Sequence, residues 1–211
     1  MDLKQKYRKI VFYKNYFQKF FVLQRDKVKD KIIWTFELIE EFQKVPETYL
    51  KHIENTDGLF EIRVQQGSDI FRIFLFFDQD KMVVIDNGFK KKKQKTPKKE
   101  IERAIKLRRN MKPKKNNITT LEQFKDKHYG KRGTEKRDKL DAGYESFKIG
   151  SLIYEARRKK GLSQEELAEL VGTTKSYISK IENNIKEVRI STLQRIVELG
   201  LGGHLQLSIK L

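Results

Sequence analysis

Leu162-Ser163-Gln164-Glu165-Glu166-Leu167-Ala168, followed after two residues by Val171-Gly172-Thr173-Thr174-Lys175-Ser176-Tyr177-Ile178-Ser179-Lys180-Ile181-Glu182-Asn183, decides the fold of the C-terminal half. Ser163 with Glu166 three residues on forms a capping box that opens a helix. Leu167, Ala168 and Val171 give that helix one apolar face, and Gly172 supplies the turn. Thr173 or Thr174 caps the next helix, whose Tyr177, Ile178 and Ile181 point inward. Ala168 is small where two helices must cross closely. The spacing is that of a helix-turn-helix. Upstream, a helix is expected to reach Lys160, with Phe147, Leu152, Ile153 and Ala156 inward and Gly161 ending it. Downstream, Ile190–Leu199 reads as a last helix closed by Gly202-Gly203. Leu205, Leu207, Ile209 and Leu211 then alternate as a terminal strand, with His204 in the loop before it.

Between residues 111 and 145 the chain is polar and lysine-rich, with Ile118, Leu121, Phe124, Tyr129, Leu140 and Tyr144 as sparse apolar anchors. Thr119–Glu122 could open a short helix, and Lys131–Arg137 reads as a flexible loop. This segment is expected to be a linker or docking arm. It starts at Met111, where one basic half gives way to another: 26 basic against 16 acidic residues before it (net +10), 21 against 13 from it onward (net +8).

The first half reads as a small α/β unit. Residues 7–13 form an opening strand, and two helical stretches follow at about 14–25 and 26–44. The second carries Val28, Ile32, Ile33, Phe36, Ile39 and Phe42 as one apolar stripe, with Pro46 marking its end. Three apolar segments come next, Leu59–Gln65, Ile70–Phe77 and Met82–Ile85, separated by Gln66-Gly67-Ser68-Asp69 and Asp78-Gln79-Asp80 and closed by Asn87-Gly88. They predict an antiparallel meander. Pro97 starts a closing helix, so the order is β-α-α-β-β-β-α.

Alternation puts Phe60, Ile62 and Val64 on one side of the first meander strand and Glu61 and Arg63 on the other. In the second strand Phe71, Ile73, Leu75 and Phe77 share a face, and Arg72 lies opposite, beside Phe74 and Phe76. Two arginines on the expected non-core face, rimmed by the lysines of Gly88–Pro97, make a plausible phosphate cradle. The competing interpretation is a solvated charge run.

Gly58-Leu59-Phe60-Glu61-Ile62-Arg63, Phe71-Arg72-Ile73 and Gly88-Phe89 with Lys91-Lys92 and Gln94-Lys95-Thr96-Pro97 resemble, in order and spacing, the RelE/HigB toxin superfamily and its phage-derived HigB-type branch. The resemblance covers nearly all of residues 1–110. It implies a ribonuclease that cuts mRNA, in many members on the ribosome. Cleavage without metal lets the RNA 2′-OH attack the adjacent phosphorus, and needs a base, a charge clamp and a proton source. The resemblance implies Arg63 and Arg72 as the clamp and Lys91 and Lys92 as RNA-binding or charge-stabilising groups, with Phe89, Lys90 and Lys93 beside them on the RNA. Glu61 is a candidate base, though two residues before Arg63 it can equally pair with a basic neighbour. His52, expected in a loop before the sheet, lies outside the matching motif.

The C-terminal motif resembles the Xre/phage-repressor family. That resemblance implies that the third helix enters the major groove N-terminus first. Lys175, Ser176, Ser179 and Lys180 would then face bases, Gln164 and Thr174 would lie against phosphates, and Arg157 with Glu182 would form a structural ion pair. The order of the halves is that of HigB–HigA operons, with Met111 as the start of the second product, either fused or concatenated.

Three parts are therefore expected: a toxin-like domain at 1–110, an arm at 111–145 and a DNA-binding domain at 146–211. The fold class is α+β, a RelE-like antiparallel sheet with helices followed by an all-α helix-turn-helix domain with a C-terminal strand. The implied function is a toxin–antitoxin module in one chain. The first half cuts mRNA on the ribosome. The second neutralises it through a toxin–antitoxin contact, supplied by the arm or the terminal strand, and represses transcription on operator DNA as a homodimer. The alternative is a non-enzymatic helix-turn-helix regulator whose basic N-terminal domain adds nucleic-acid affinity.

Composition is consistent with either. A net charge of +18 and a pI near 9.8 favour a polyanionic partner. Cysteine is absent, which excludes disulfides and thiolate metal sites and suits a reducing compartment. No apolar run approaches the ~20 residues that span a bilayer, and no apolar segment follows the charged N-terminus as in a signal peptide. A bacterial cytoplasmic location is expected, with no membrane partner, metal or cofactor.

Overall fold

The computed structural model describes residues 6–78, 81–84, 88–90, 97–111, 117–183 and 188–207. The chain forms two compact units, residues 1–137 and 138–211. Together they are α+β: a mixed sheet with helices, then a helical region.

Among the described residues, the first unit is built on a sheet of seven strands: β1 (Lys9–Tyr13), β2 (Leu50–His52), β3 (Leu59–Gln66), β4 (Asp69–Asp78), β5 (Lys81–Val84), β6 (Phe89–Lys90) and β7 (Ile118–Thr120), in the order β2-β3-β4-β5-β1-β7, with β6 on β4. The meander is as expected: β3, β4 and β5 pair antiparallel, and Gly67 takes the positive φ that the β3–β4 turn requires. The sheet is not wholly antiparallel, however. β1 inserts beside β5 and runs parallel to it, Ile10 opposite Met82 and Phe12 opposite Val84. Gln79, Asp80 and Asn87, expected in turns, and Ile85, expected in a strand, lie outside the described residues. His52, expected in a loop, is the last residue of β2.

Helices α1 (Tyr16–Val22) and α2 (Asp26–Glu41) cover one face. The stripe Val28, Ile32, Ile33, Phe36 and Ile39 is buried, as its spacing requires. Arg8 closes the far end of α2, donating to the carbonyl oxygens of Ile39 at 3.0 Å and Gln43 at 2.5 Å and to that of Phe42. These would otherwise be unpaired helix-end acceptors. The other face is also covered. Val11, Tyr13, Leu59, Phe74, Phe76 and Val83 form a second core layer with Ala104 of α3 (Lys98–Arg109). The expectation of a non-core face for Glu61, Arg63 and Arg72 is thus corrected, because these residues share the α3-covered face with Leu59, Phe74 and Phe76.

The segment expected as a polar arm contributes to this unit. β7 pairs antiparallel with β1, Phe12 opposite Thr119. Thr120 then caps α4 (Leu121–Tyr129) through a full capping box with Gln123. Phe124 of α4 enters the aromatic cluster under the sheet, its ring centroid 4.5 Å from Phe12, 5.6 Å from Phe17 and 5.0 Å from Phe21. Arg137, expected in a flexible loop, has no exposed surface; it donates to Glu122 at 2.7 Å and Asp126 at 2.9 Å.

His128 packs its ring on Phe124 and Phe21, and its Nε2 is buried without a hydrogen bond. Burial first, then Lys127, Lys136 and Lys29, hold its pKa below the ordinary imidazole value. The unfolded chain therefore takes up the proton more readily. Stability from the neutral ring is complete above about pH 6.5 and is lost as pH falls below that value. The melting temperature of wild type should fall more steeply from pH 7.5 to pH 5 than that of His128→Gln. Parallel profiles would remove His128 as the cause.

In the second unit, α5 (Glu135–Lys159), whose first residues belong to the first unit, is followed by α6 (Gln164–Leu170), α7 (Lys175–Glu182), α8 (Ile190–Arg195) and one π-helical turn, Ile196–Gly200. Leu167, Ala168, Val171, Ile178 and Ile181 meet Ile153, Ile196 and Leu201 in one core. Leu152, expected inward, is 48% exposed. Gly150 sits where α5 passes the end of α7; a Cβ there would press on the carbonyl oxygen of Ile181. Residues 203–207 carry no regular structure. The remainder of the expected terminal strand, with Ile209 and Leu211, lies outside the described residues.

Candidate nucleic-acid interfaces

The β3–β4 register sets Arg63 directly opposite Arg72, and Glu61 lies one step along the same face. The three are brought together as one charge cluster. Arg63 Nε donates to Glu61 Oε1 at 2.8 Å, and Arg72 Nε lies 3.4 Å from the same oxygen. Glu61 and Arg72 are buried, whereas the Arg63 side chain is 29% exposed. Arg72 Nη1 donates to the carbonyl of Phe71 at 3.0 Å, and its Nε is buried without a hydrogen bond. Burial, followed by Arg63, lowers the Arg72 pKa, while Glu61 opposes the shift. Glu61 therefore serves here as counter-ion to two guanidinium groups, the pairing alternative raised by its position before Arg63.

Phe89 lies opposite Arg72 across the β4–β6 pair and packs against Phe74, 5.7 Å between centroids. Lys90 is exposed and pairs with Asp69 at 2.6 Å, which with Arg25 holds the Asp69 carboxyl below the usual range. Lys91, Lys92 and Lys93 lie outside the described residues. Chemically, the cluster offers one partly accessible guanidinium above a buried pair, a geometry suited to an anion, whereas Lys90, opposite Phe71, lies on the other face of the sheet.

The helix-turn-helix carries the signals its sequence announces. The Ser163 hydroxyl accepts from Glu166 N at 3.1 Å, and Glu166 accepts from Ser163 N at 2.6 Å. Gly172 has φ +62°, and Thr174 accepts from Tyr177 N at 3.2 Å to start α7. Lys175, Ser176 and Lys180 are exposed on α7, with Ser179 half-buried beside them. Lys175 is tied to Glu165 of α6, and the lysine holds that carboxyl below its ordinary pKa.

Gln164 is not free: its Nε2 donates at 2.7 Å to Glu182 Oε2. The same carboxylate takes Arg157 Nε at 2.5 Å and Nη2 at 2.9 Å, giving the buried pair the resemblance implied. Arg189 and Arg195 carry no motif signal in the sequence. They line a groove of about 260 Å³ with Gly172, Thr173, Tyr177 and Thr192 beside the start of α7. They fall outside the motif, Arg189 just before α8 and Arg195 at its end.

An α+β sheet unit joined to a helix-turn-helix unit defines the class of this protein. Residues 19–109 match the family model described as "Phage derived protein Gp49-like (DUF891)", and residues 153–199 match the model described as "Helix-turn-helix". The chain thus carries a Gp49-like domain in its N-terminal half and a helix-turn-helix domain in its C-terminal half. It is also similar to the "ImmF control region 10 kDa protein" of Bacillus phage phi105, 40% identical over 52 residues, or 25% of this chain. The match spans 58% of that protein's length. Among the described residues, no helix is long and apolar enough to cross a membrane.

Proposed function

We propose that the chain is a toxin–antitoxin module of HigB–HigA type in one polypeptide. The observation that carries this reading is the order of its parts: a Gp49-like sheet unit bearing an arginine pair, followed by a helix-turn-helix with exposed lysines on its third helix. The first part would cut mRNA on the ribosome without a metal. An incoming phosphate would draw Arg63 off Glu61, whose carboxylate would then take the 2′-OH proton. O2′ then bonds to phosphorus as the P–O5′ bond breaks, the departing 5′-oxygen takes a proton from water, and Arg63, Arg72, Lys91 and Lys92 stabilise the charge. Phe89, Lys90 and Lys93 would hold the RNA. The second part neutralises the first and represses transcription as a dimer on operator DNA, in the bacterial cytoplasm.

Arg63 is the informative site, since Arg72 is buried and its loss would also disturb the fold. In a chain lacking residues 112–211, Arg63→Ala should lower mRNA cleavage on translating ribosomes by about 10²–10³-fold, with Arg63→Lys recovering only part of it. Cleavage that is unaltered in Arg63→Ala would defeat the assignment. The non-enzymatic regulator is favoured by a separate observation, the Glu61–Arg72 contact inside the core layer. If neither the full chain nor one lacking residues 112–211 cuts mRNA, that reading stands.

On DNA, Lys175 and Lys180 would reach base edges, Ser176 and Ser179 would line the groove, and Thr174 and Gln164 would face phosphates. With duplexes selected from a random pool by the chain itself, Lys175→Ala should weaken binding by about 1–3 kcal/mol. Glu165→Gln, which releases Lys175, should raise affinity for unselected duplex and so narrow discrimination. Anisotropy titrations at fixed salt measure both. An unchanged ratio of selected to unselected binding in Glu165→Gln would exclude the carboxylate from specificity.

A further inference from the structure

Residues 117–137 belong to neither family match, which end at 109 and begin at 153, yet they are embedded in the first unit. Their contacts with it are of three kinds. A strand is added to an open edge: Tyr13 pairs with Ile118, Val11 with Thr120, and Lys14 N donates to Asn117 O at 2.8 Å. A helix lays Phe124 into an aromatic groove of Phe12, Phe17 and Phe21. Polar ties then close the rim: Tyr129 donates to Asp30 at 2.9 Å, Lys127 to Gln18 at 3.0 Å, and Lys125 pairs with Glu37. Edge-strand addition and helix-in-groove are two recurring ways in which one polypeptide captures another.

The segment also carries its own scaffolding. Its helix is capped from within by Thr120 and Gln123. Its turn is bracketed by Arg137 on Glu122 and Asp126, three residues of the segment itself. The sheet it joins retains β2-β3-β4-β5-β1 and helices on both faces without it.

We infer that residues 117–137 are a docking module: a strand and helix by which the DNA-reading part of the chain holds the Gp49-like unit, on a surface that accepts the module equally from a separate polypeptide. This gives the neutralising contact of the proposed function a place, and rests on that function only for its purpose. Covalent linkage raises the effective concentration of the module to the millimolar range, so cutting the link turns a permanent contact into a concentration-dependent one.

The test starts from the full chain with a specific protease site replacing residues 112–116. After cutting, the two pieces should co-elute in gel filtration. They should part on dilution or in mild denaturant, and the N-terminal piece should keep its far-ultraviolet dichroism and rebind. Phe124→Ala should weaken rebinding at least about a hundredfold, while the thermal transition of its own C-terminal piece stays in place, which separates lost docking from misfolding. The inference is overturned if the pieces part at once on cutting, if the N-terminal piece loses its structure when stripped, or if Phe124→Ala rebinds as wild type. An N-terminal piece that rebinds in this way but cuts no RNA when stripped of the module would sink the nuclease and leave the docking module standing.

Discussion

Glu182→Ala should remove a large part of the second unit's stability. The Glu182 carboxylate is buried and receives Arg157 through two hydrogen bonds and Gln164 through a third. Removing it strands a guanidinium that is itself buried. Stripping one partner from a buried pair costs about 3–5 kcal/mol, and a unit of this size has roughly 4–11 kcal/mol in total. The pair also fixes α5 against the end of α7, so the recognition helix loses its seat along with the charge. Calorimetry or a denaturant titration of the second transition measures the loss. The double replacement Arg157→Met with Glu182→Leu should restore much of it, since well-packed apolar side chains can substitute for a buried ion pair. If the single replacement leaves the transition unmoved, the pair is incidental to the unit.

Phe12→Ala should have a comparable effect on the first unit. Phe12 is 1% exposed and lies at the centre of the aromatic cluster, within 5.1 Å of Phe17, 5.5 Å of Phe36 and 4.5 Å of Phe124, centroid to centroid. It is thus the residue through which β1, α1, α2 and α4 meet. Truncating a buried phenylalanine costs about 3–5 kcal/mol through lost burial and the cavity left behind, lowering the first melting transition by on the order of 10–20 °C. Phe12→Leu should recover more than half of this. A shift of only a degree or two for Phe12→Ala would mean that the cluster is not the centre of the core.

What the sequence disclosed was local. Capping boxes, the turn glycine and helical spacing act within four or five residues, so α6, α7 and the inward face of Ile178 and Ile181 could be read directly. Alternation likewise located β3 and β4 and paired Arg63 with Arg72. The placement of β1 beside β5 depends on contacts some seventy residues apart, which no local signal carries. The same holds for β7, for the burial of Arg137 and for α3 over the arginine face. That last contact changes the chemistry most, since it converts an expected open cradle into a partly covered charge cluster with only Arg63 accessible. Leu152 fits the helical pattern of α5 and is nonetheless half exposed, because periodicity gives a face without saying what covers it.

The position of β7 also sets a schedule for synthesis. β1 emerges from the ribosome first, but its outer neighbour is made more than a hundred residues later. Translation at 5–20 residues per second leaves an interval of about 1–5 s between Asn110 and Arg137. For those seconds each nascent chain displays a bare strand edge and an uncovered cleft of phenylalanines. Slow codons or a pause in that interval would lengthen the time in which another polypeptide could reach them first.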